Sequence, residues 1–120
     1  MLEREIEAYL VKRCKALGIL CDKFVSPNQR NVPDRVLSTK GRVLFLELKA
    51  TGKKPTEAQQ RDHQRRMDVG TTAMWTDSKE GIDTVLRCLG ESPIPYYATI
   101  DGGALHILIP PRDVAESSTE

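Results

Sequence analysis

The sequence predicts an α/β fold: helix, three strands, helix, strand and a further helix, followed by a separate β-hairpin. Three observations carry that expectation. The chain opens on a helical stripe, with Ile6, Leu10, Cys14 and Leu17 at three- and four-residue spacing. A central run from Val43 to Leu48 is too apolar for an exposed loop and suits a strand covered on both faces. Beyond it, helical and strand patterns alternate, which builds a mixed central sheet with helices packed on it.

Taken in order, residues 2–17 form the first helix, and Gly18 follows as its C-terminal stop. Ile19 to Val25 is the first strand. Ser26 to Asn31 is a polar loop suited to facing a substrate. Residues 33–49 read as two strands joined by a turn at Thr39-Lys40-Gly41. Thr51 to Pro55 is a turn, and Thr56 is a helix N-cap with Gln59 three residues on, a capping-box pattern. That helix runs to about Val69 and stops at Gly70. Thr71 to Thr76 is the next strand, with Trp75 expected in the core rather than as a base-stacking platform. Lys79 to Leu89 is a helix carrying Ile82, Val85, Leu86 and Leu89 inward. Pro93 and Pro95 mark a linker. Tyr96–Ile100 and Ala104–Ile109 then bracket Asp101-Gly102-Gly103, a hairpin signal. We expect a single domain over 1–120, with its core at about 3–89, the hairpin extension at about 94–110 and a frayed tail from 111.

The chemistry concentrates at the end of the apolar strand. Alternate strand residues share a face, so Val43, Phe45, Glu47 and Lys49 point one way and Leu44, Leu46 and Leu48 the other. A carboxylate and an amine therefore emerge together from a buried strand, and Asp34 can meet them across the hairpin. Two converging carboxylates repel each other unless a cation sits between them. Oxygen ligands favour a hard cation such as Mg²⁺, which binds through one or two carboxylates plus substrate phosphate. Lys49 would then stand beside the cation, placed to orient or deprotonate a water. A surface ion pair between Glu47 and Lys49 is the plainer alternative.

The order Glu7, Pro33-Asp34, Glu47-Leu48-Lys49, Gln59 resembles the PD-(D/E)XK nuclease superfamily. Within it the chain is most similar to the VRR-NUC domain, over roughly residues 3–88. The longer matching runs are Phe24-Val25-Ser26-Pro27, Val32-Pro33-Asp34-Arg35, Phe45 to Ala50, Gly52-Lys53 and Thr56-Glu57-Ala58-Gln59. Members often carry Gly just before Pro-Asp, where this chain has Asn31-Val32. The resemblance implies a restriction-endonuclease-like αβββαβ core. It also implies a metal-dependent endonuclease: Asp34 and Glu47, with Glu7 and the Leu48 carbonyl, would hold Mg²⁺ or Mn²⁺. Lys49 would act on the water, and Gln59 would line the site as well as cap its helix. Glu7 matches the family's first-helix glutamate best, with Glu3 one turn away as the fallback. Stand-alone members resemble Holliday-junction resolvases acting as homodimers, which makes a four-way junction the expected DNA partner.

Charge is distributed to suit a polyanion. Residues 30–66 hold ten Lys or Arg against four Asp or Glu, whereas residues 67–120 hold three against nine. Lys and Arg release counterions from phosphates, and Arg30, Arg35, Lys53 and Lys54 flank the acidic pair as candidate DNA contacts. The run from Arg61 to Arg66 reads equally as a solvated helix face. His63 within it is expected to face solvent, since no other His or Cys lies at ligand spacing. An apolar fraction of 39% with 29% charged residues fits a globular protein. No run approaches the roughly 18 apolar residues needed to span a bilayer. Met-Leu-Glu-Arg-Glu does not read as a signal peptide, so the cytoplasm is the expected compartment. Cys14, Cys21 and Cys88 lack zinc-site spacing and are expected to be reduced thiols. Two other readings remain open: a DNA-binding module that does not cut, and a subunit that dimerises through the hairpin while a partner does the chemistry.

Overall fold

The computed structural model describes residues 1–90 and the backbone of 98–101 and 104–107. The elements follow the order α1 (Glu3–Leu17), β1 (Leu20–Lys23), β2 (Arg35–Thr39), β3 (Arg42–Leu48), α2 (Glu57–Asp68), β4 (Thr72–Thr76), α3 (Lys79–Gly90), β5 (Ala98–Asp101) and β6 (Ala104–Ile107). The linker around Pro93 and Pro95, the hairpin turn at 102–103 and the tail lie outside the described residues.

Strands β1 to β4 lie side by side in sequence order. β1–β2 and β2–β3 are antiparallel, and β3–β4 is parallel through the α2 crossover. The sheet is mixed, as expected. The β2–β3 hairpin turns on two residues, Lys40 and Gly41, both at positive φ (50° and 79°). That backbone matches the right-handed twist of the flanking strands. Thr39 pairs with Arg42, and Arg35 with Leu46. That register brings Asp34, one step before β2, level with Glu47.

The strand period divides the core. Leu44, Leu46 and Leu48 of β3, Leu37 of β2 and Met74 of β4 face one way. They pack with Ile6, Leu10 and Cys14 of α1 and Ile82, Val85, Leu86 and Leu89 of α3. Leu17, expected on the same stripe, is instead 50% exposed, because the chain turns away at Gly18, which takes φ 71° as the left-handed cap. The opposite face of the sheet has thinner cover: Met67 of α2, Ala73 and a half-buried Phe45. β3 is central but not covered along its whole length, since α2 leaves Val43 48% exposed. The C-terminal strands pair antiparallel as a separate two-stranded sheet. No helix among the described residues is long and apolar enough to cross a membrane.

Candidate active site at the end of β3

Asp34 is held on both sides. Its carbonyl accepts from Phe24 N–H at 3.0 Å, continuing the β1–β2 ladder, and its Oδ2 accepts from Leu48 N–H at 2.8 Å. An extended residue sends its N–H and C=O to the same edge. Lys49 N–H goes the other way, to Thr76 O of β4 at 3.0 Å. The Leu48 carbonyl therefore leaves β3 on the Asp34 side, just where β2 has ended. In the loop before Asp34, Asn31 takes φ 64°. Asparagine tolerates that left-handed region, so the chain reverses there without a glycine.

Glu47 lies on the α2 face and is 2% exposed. Its Oε2 accepts from Gln59 Nε2 at 3.1 Å and stands 3.7 Å from Lys49 Nζ. Its Oε1 has no hydrogen-bond partner, although His63 Nε2 is 3.9 Å away and also lacks one. His63 is 5% exposed. The expectation that it faces solvent is therefore wrong, for a reason visible in the spacing. Gln59 and His63 are four apart on α2, so a helix that turns Gln59 to Glu47 turns His63 there too.

Gln59 does two things at once. Its Oε1 accepts from Thr56 N–H at 2.9 Å and its backbone N–H donates to Thr56 Oγ1 at 3.1 Å, completing the capping box. The remaining Nε2 reaches Glu47. Capping and site-lining are not alternatives here.

Burial pushes the Asp34 carboxyl up to about 6; the Leu48 amide opposes the shift, and neighbouring Glu47 and Glu3 add to it. The acid of α1 that Asp34 feels is thus Glu3. Glu7, the expected ligand, is turned to the other face of the sheet. Its Oε2 accepts from Arg35 Nη2 at 2.9 Å and Nε at 3.1 Å. Arg35 in turn is only 9% exposed and also donates to the Cys21 carbonyl, so it is a structural ion-pair partner rather than a free phosphate contact. Among the described residues no group of three or more His, Cys, Asp or Glu is placed to hold a metal ion. The arrangement offers two carboxylates, Asp34 and Glu47, plus a carbonyl, which is the sparse set that Mg²⁺ accepts while keeping waters and substrate oxygens.

The other basic candidates divide. Arg30, Lys53 and Lys54 are exposed, the lysines on a turn that Asp77 pins by accepting from Gly52 N–H at 2.9 Å. Arg65 and Arg66 both donate to buried Asp62, and Arg66 also lies over the Phe24 and Phe45 rings at 5.1 and 4.7 Å. Arg66 thus acts as a lid on the thin side of the core.

No family model matches the chain. A protein named "Putative nuclease p44", from Acyrthosiphon pisum secondary endosymbiont phage 1, is 40% identical over 79 residues, covering 65% of this chain and 85% of that one. A solved structure described as a VRR_NUC domain matches with a TM-score of 0.66 at 26% identity, covering 71% of this chain and 94% of the other.

Proposed function

The chain belongs to the VRR-NUC family, and from that premise we propose that it is a divalent-metal-dependent endonuclease that hydrolyses DNA phosphodiesters at the Asp34–Glu47 pair. The observation that carries the reading is the convergence of those two carboxylates with Lys49 Nζ and Gln59 at the end of a buried strand. An acid pair of one buried and one half-buried carboxyl, the latter raised towards neutrality, favours a proton or a cation between its members. The orphaned Glu47 Oε1 marks unused ligand capacity.

Asp34, Glu47 and the Leu48 carbonyl would hold Mg²⁺ or Mn²⁺, which supplies Lewis acidity towards the phosphoryl oxygen and lowers the pKa of a coordinated water. Lys49 orients the attacking water and stabilises charge developing on the phosphorus oxygens. Gln59 fixes the Glu47 carboxylate through Oε2. The attacking water loses a proton as its oxygen bonds to phosphorus, and the leaving oxygen gains one as the ester bond breaks. Branched DNA is the proposed substrate, cut by a homodimer, because paired symmetric nicks in a four-way junction need two sites related by a two-fold axis.

The test is cleavage of a labelled four-way junction beside matched flap and linear duplexes, each with Mg²⁺, Mn²⁺ or EDTA. Metal-dependent cutting is expected, with Lys49→Ala lowering the rate by about 100-fold or more. Binding without cutting in every lane would instead favour a non-catalytic DNA-binding module. Cutting of flaps or linear DNA alone would keep the nuclease and discard the junction.

A further inference from the structure

A cationic surface lies away from the acidic pair, on the outer flank of α1. Arg4, Ala8, Lys12 and Lys15 follow helical spacing and share one face. With Lys23 of β1 and the Glu7–Arg35 pair they line an open trough of about 510 Å³. Glu7 is neutralised by Arg35 at 2.9 Å. Arg4, Lys12, Lys15 and Lys23 are exposed, and among the described residues none of them has an ion-pair partner. Lys12 and Lys15 are like charges three apart, a spacing that opposes the helix, and among the described residues no carboxylate pairs with either.

The trough and the candidate site share β2 but lie on opposite faces of the sheet. Lys23 and Arg35 are cross-strand partners in the trough, and Arg35 directly follows Asp34, so the side chains of Asp34 and Arg35 leave the strand on opposite sides. From Arg4 to Lys15 the helix then runs about 16 Å at roughly 1.5 Å per residue. That is the axial length of about five nucleotides of duplex strand at ~3.4 Å each.

We propose that this trough docks the phosphate backbone of a DNA substrate on the face of the sheet opposite the Asp34–Glu47 pair. The proposal rests on the nuclease reading for its ligand, and on the charge and shape of α1 for its existence. Recognition here is of phosphodiester oxygens and not of bases, because among the described residues no aromatic side chain lines the trough to stack a base. An anionic membrane is the weaker fit. A membrane-surface helix needs a broad apolar face to insert, whereas Ile6, Leu10 and Cys14 of α1 are buried against the sheet and Val11 is the one apolar side chain larger than alanine among the described residues lining the trough.

The experiment measures binding by anisotropy of labelled random-sequence duplex and single-stranded DNA, in EDTA, between 50 and 200 mM salt. Lys12→Glu, Lys15→Glu and the double variant are compared with Lys40→Glu, which makes the same charge change at the β2–β3 turn. Thermal melting checks that each variant folds. Each trough reversal is expected to lower the salt slope by about 0.9 on duplex and about 0.7 on single strands, so that the affinity gained at low salt shrinks roughly three-fold per residue. Lys40→Glu is expected to leave the slope unchanged. Equal effects from Lys40→Glu, or unchanged slopes in the trough variants, overturn the proposal. So does a loss confined to phosphatidylserine vesicles in a parallel binding assay. Because these measurements need no cutting, they separate the two readings. Unchanged slopes in a protein that cuts with Mg²⁺ discard the trough and keep the nuclease. Reduced slopes in one that never cuts keep the trough and discard the nuclease.

Discussion

The two oxygens of Glu47 are treated differently by the fold, and the difference gives His63 a role that can be measured. Oε2 is held by Gln59 and approached by Lys49, whereas Oε1 has no hydrogen bond and His63 Nε2 stands 3.9 Å from it. A neutral imidazole with its proton on Nε2 would donate to Oε1 through a small shift, fixing the carboxylate plane against rotation. Groups that orient ligands in this way typically contribute 10–100-fold to metal affinity or activity. His63→Ala is therefore expected to raise the Mn²⁺ concentration for half-maximal cleavage by about ten-fold or more. Direct Mn²⁺ binding followed by electron paramagnetic resonance should weaken in parallel, with His63→Asn retaining part of it as a donor. An unchanged Mn²⁺ affinity in a folded His63→Ala protein would reduce His63 to core packing. Asp34 supports a second prediction at this scale. Its carboxyl titrates near 6 in the fold, above the ordinary aspartate value, with burial as the main cause. Between about pH 4 and 6 the folded chain therefore holds a proton that the unfolded chain has lost, so its contribution to stability falls as pH rises through that window. Asp34→Asn should stabilise the metal-free protein by about 1–2 kcal/mol above pH 6, allowing for partial solvent screening, and by little below pH 4. Urea melts in EDTA at pH 4 and 7.5 would show this, and a variant no more stable at pH 7.5 than wild type would refute it.

Helix α2 shows what a helix start can contribute to a site. One glutamine amide closes the capping box with Thr56 and holds Glu47, so helix stability and carboxylate position share a side chain. The two functions can be separated. Gln59→Glu keeps an acceptor for Thr56 N–H but sets a second carboxylate against Glu47 Oε2. It should keep the capping box while cutting activity by at least about ten-fold, with the like-charge contact lowering the melting temperature of the metal-free protein. Thr56→Ala should do the reverse, costing about 1 kcal/mol of stability with activity largely kept well below the melting point. The sequence foretold this helix closely because capping chemistry is local. It foretold the pairing of Asp34 with Glu47 because the hairpin turn sets the register and the strand period sets the face. What escaped it was the direction of whole faces. His63 looked like part of a solvated basic run, yet its distance of four from Gln59 was the available signal. Glu7 and Arg35 looked like free site residues because nothing local announces an ion pair between a helix and a strand 28 residues apart. Arg65 is exposed as a solvated face would have it, but Arg66 covers Phe24 and Phe45, which lie far from it in sequence, so nothing local announced that contact.

At the scale of the molecule, the sheet places one acidic pair at one end of β3, with the basic turn at Lys53-Lys54 just beyond that strand and the α1 trough across the sheet. A single copy thus carries one candidate centre among its described residues. A four-way junction resolved into two duplexes needs two nicks, placed symmetrically on opposing strands, so a resolvase built from this chain must act as a pair. The consequence is visible when active and inactive subunits are mixed on a supercoiled plasmid that extrudes a cruciform. A homodimer cutting both strands within one bound complex converts the plasmid directly to linear product. Excess Lys49→Ala then forms mixed dimers that nick once and release nicked circles. Nicked product should therefore rise at the expense of linear as the inactive fraction grows, at constant total protein. A chain acting as independent monomers gives nicked circles from the start, and adding Lys49→Ala only slows the reaction without changing the ratio. That second pattern would remove the dimer from the proposal while leaving Asp34, Glu47 and Lys49 where they are.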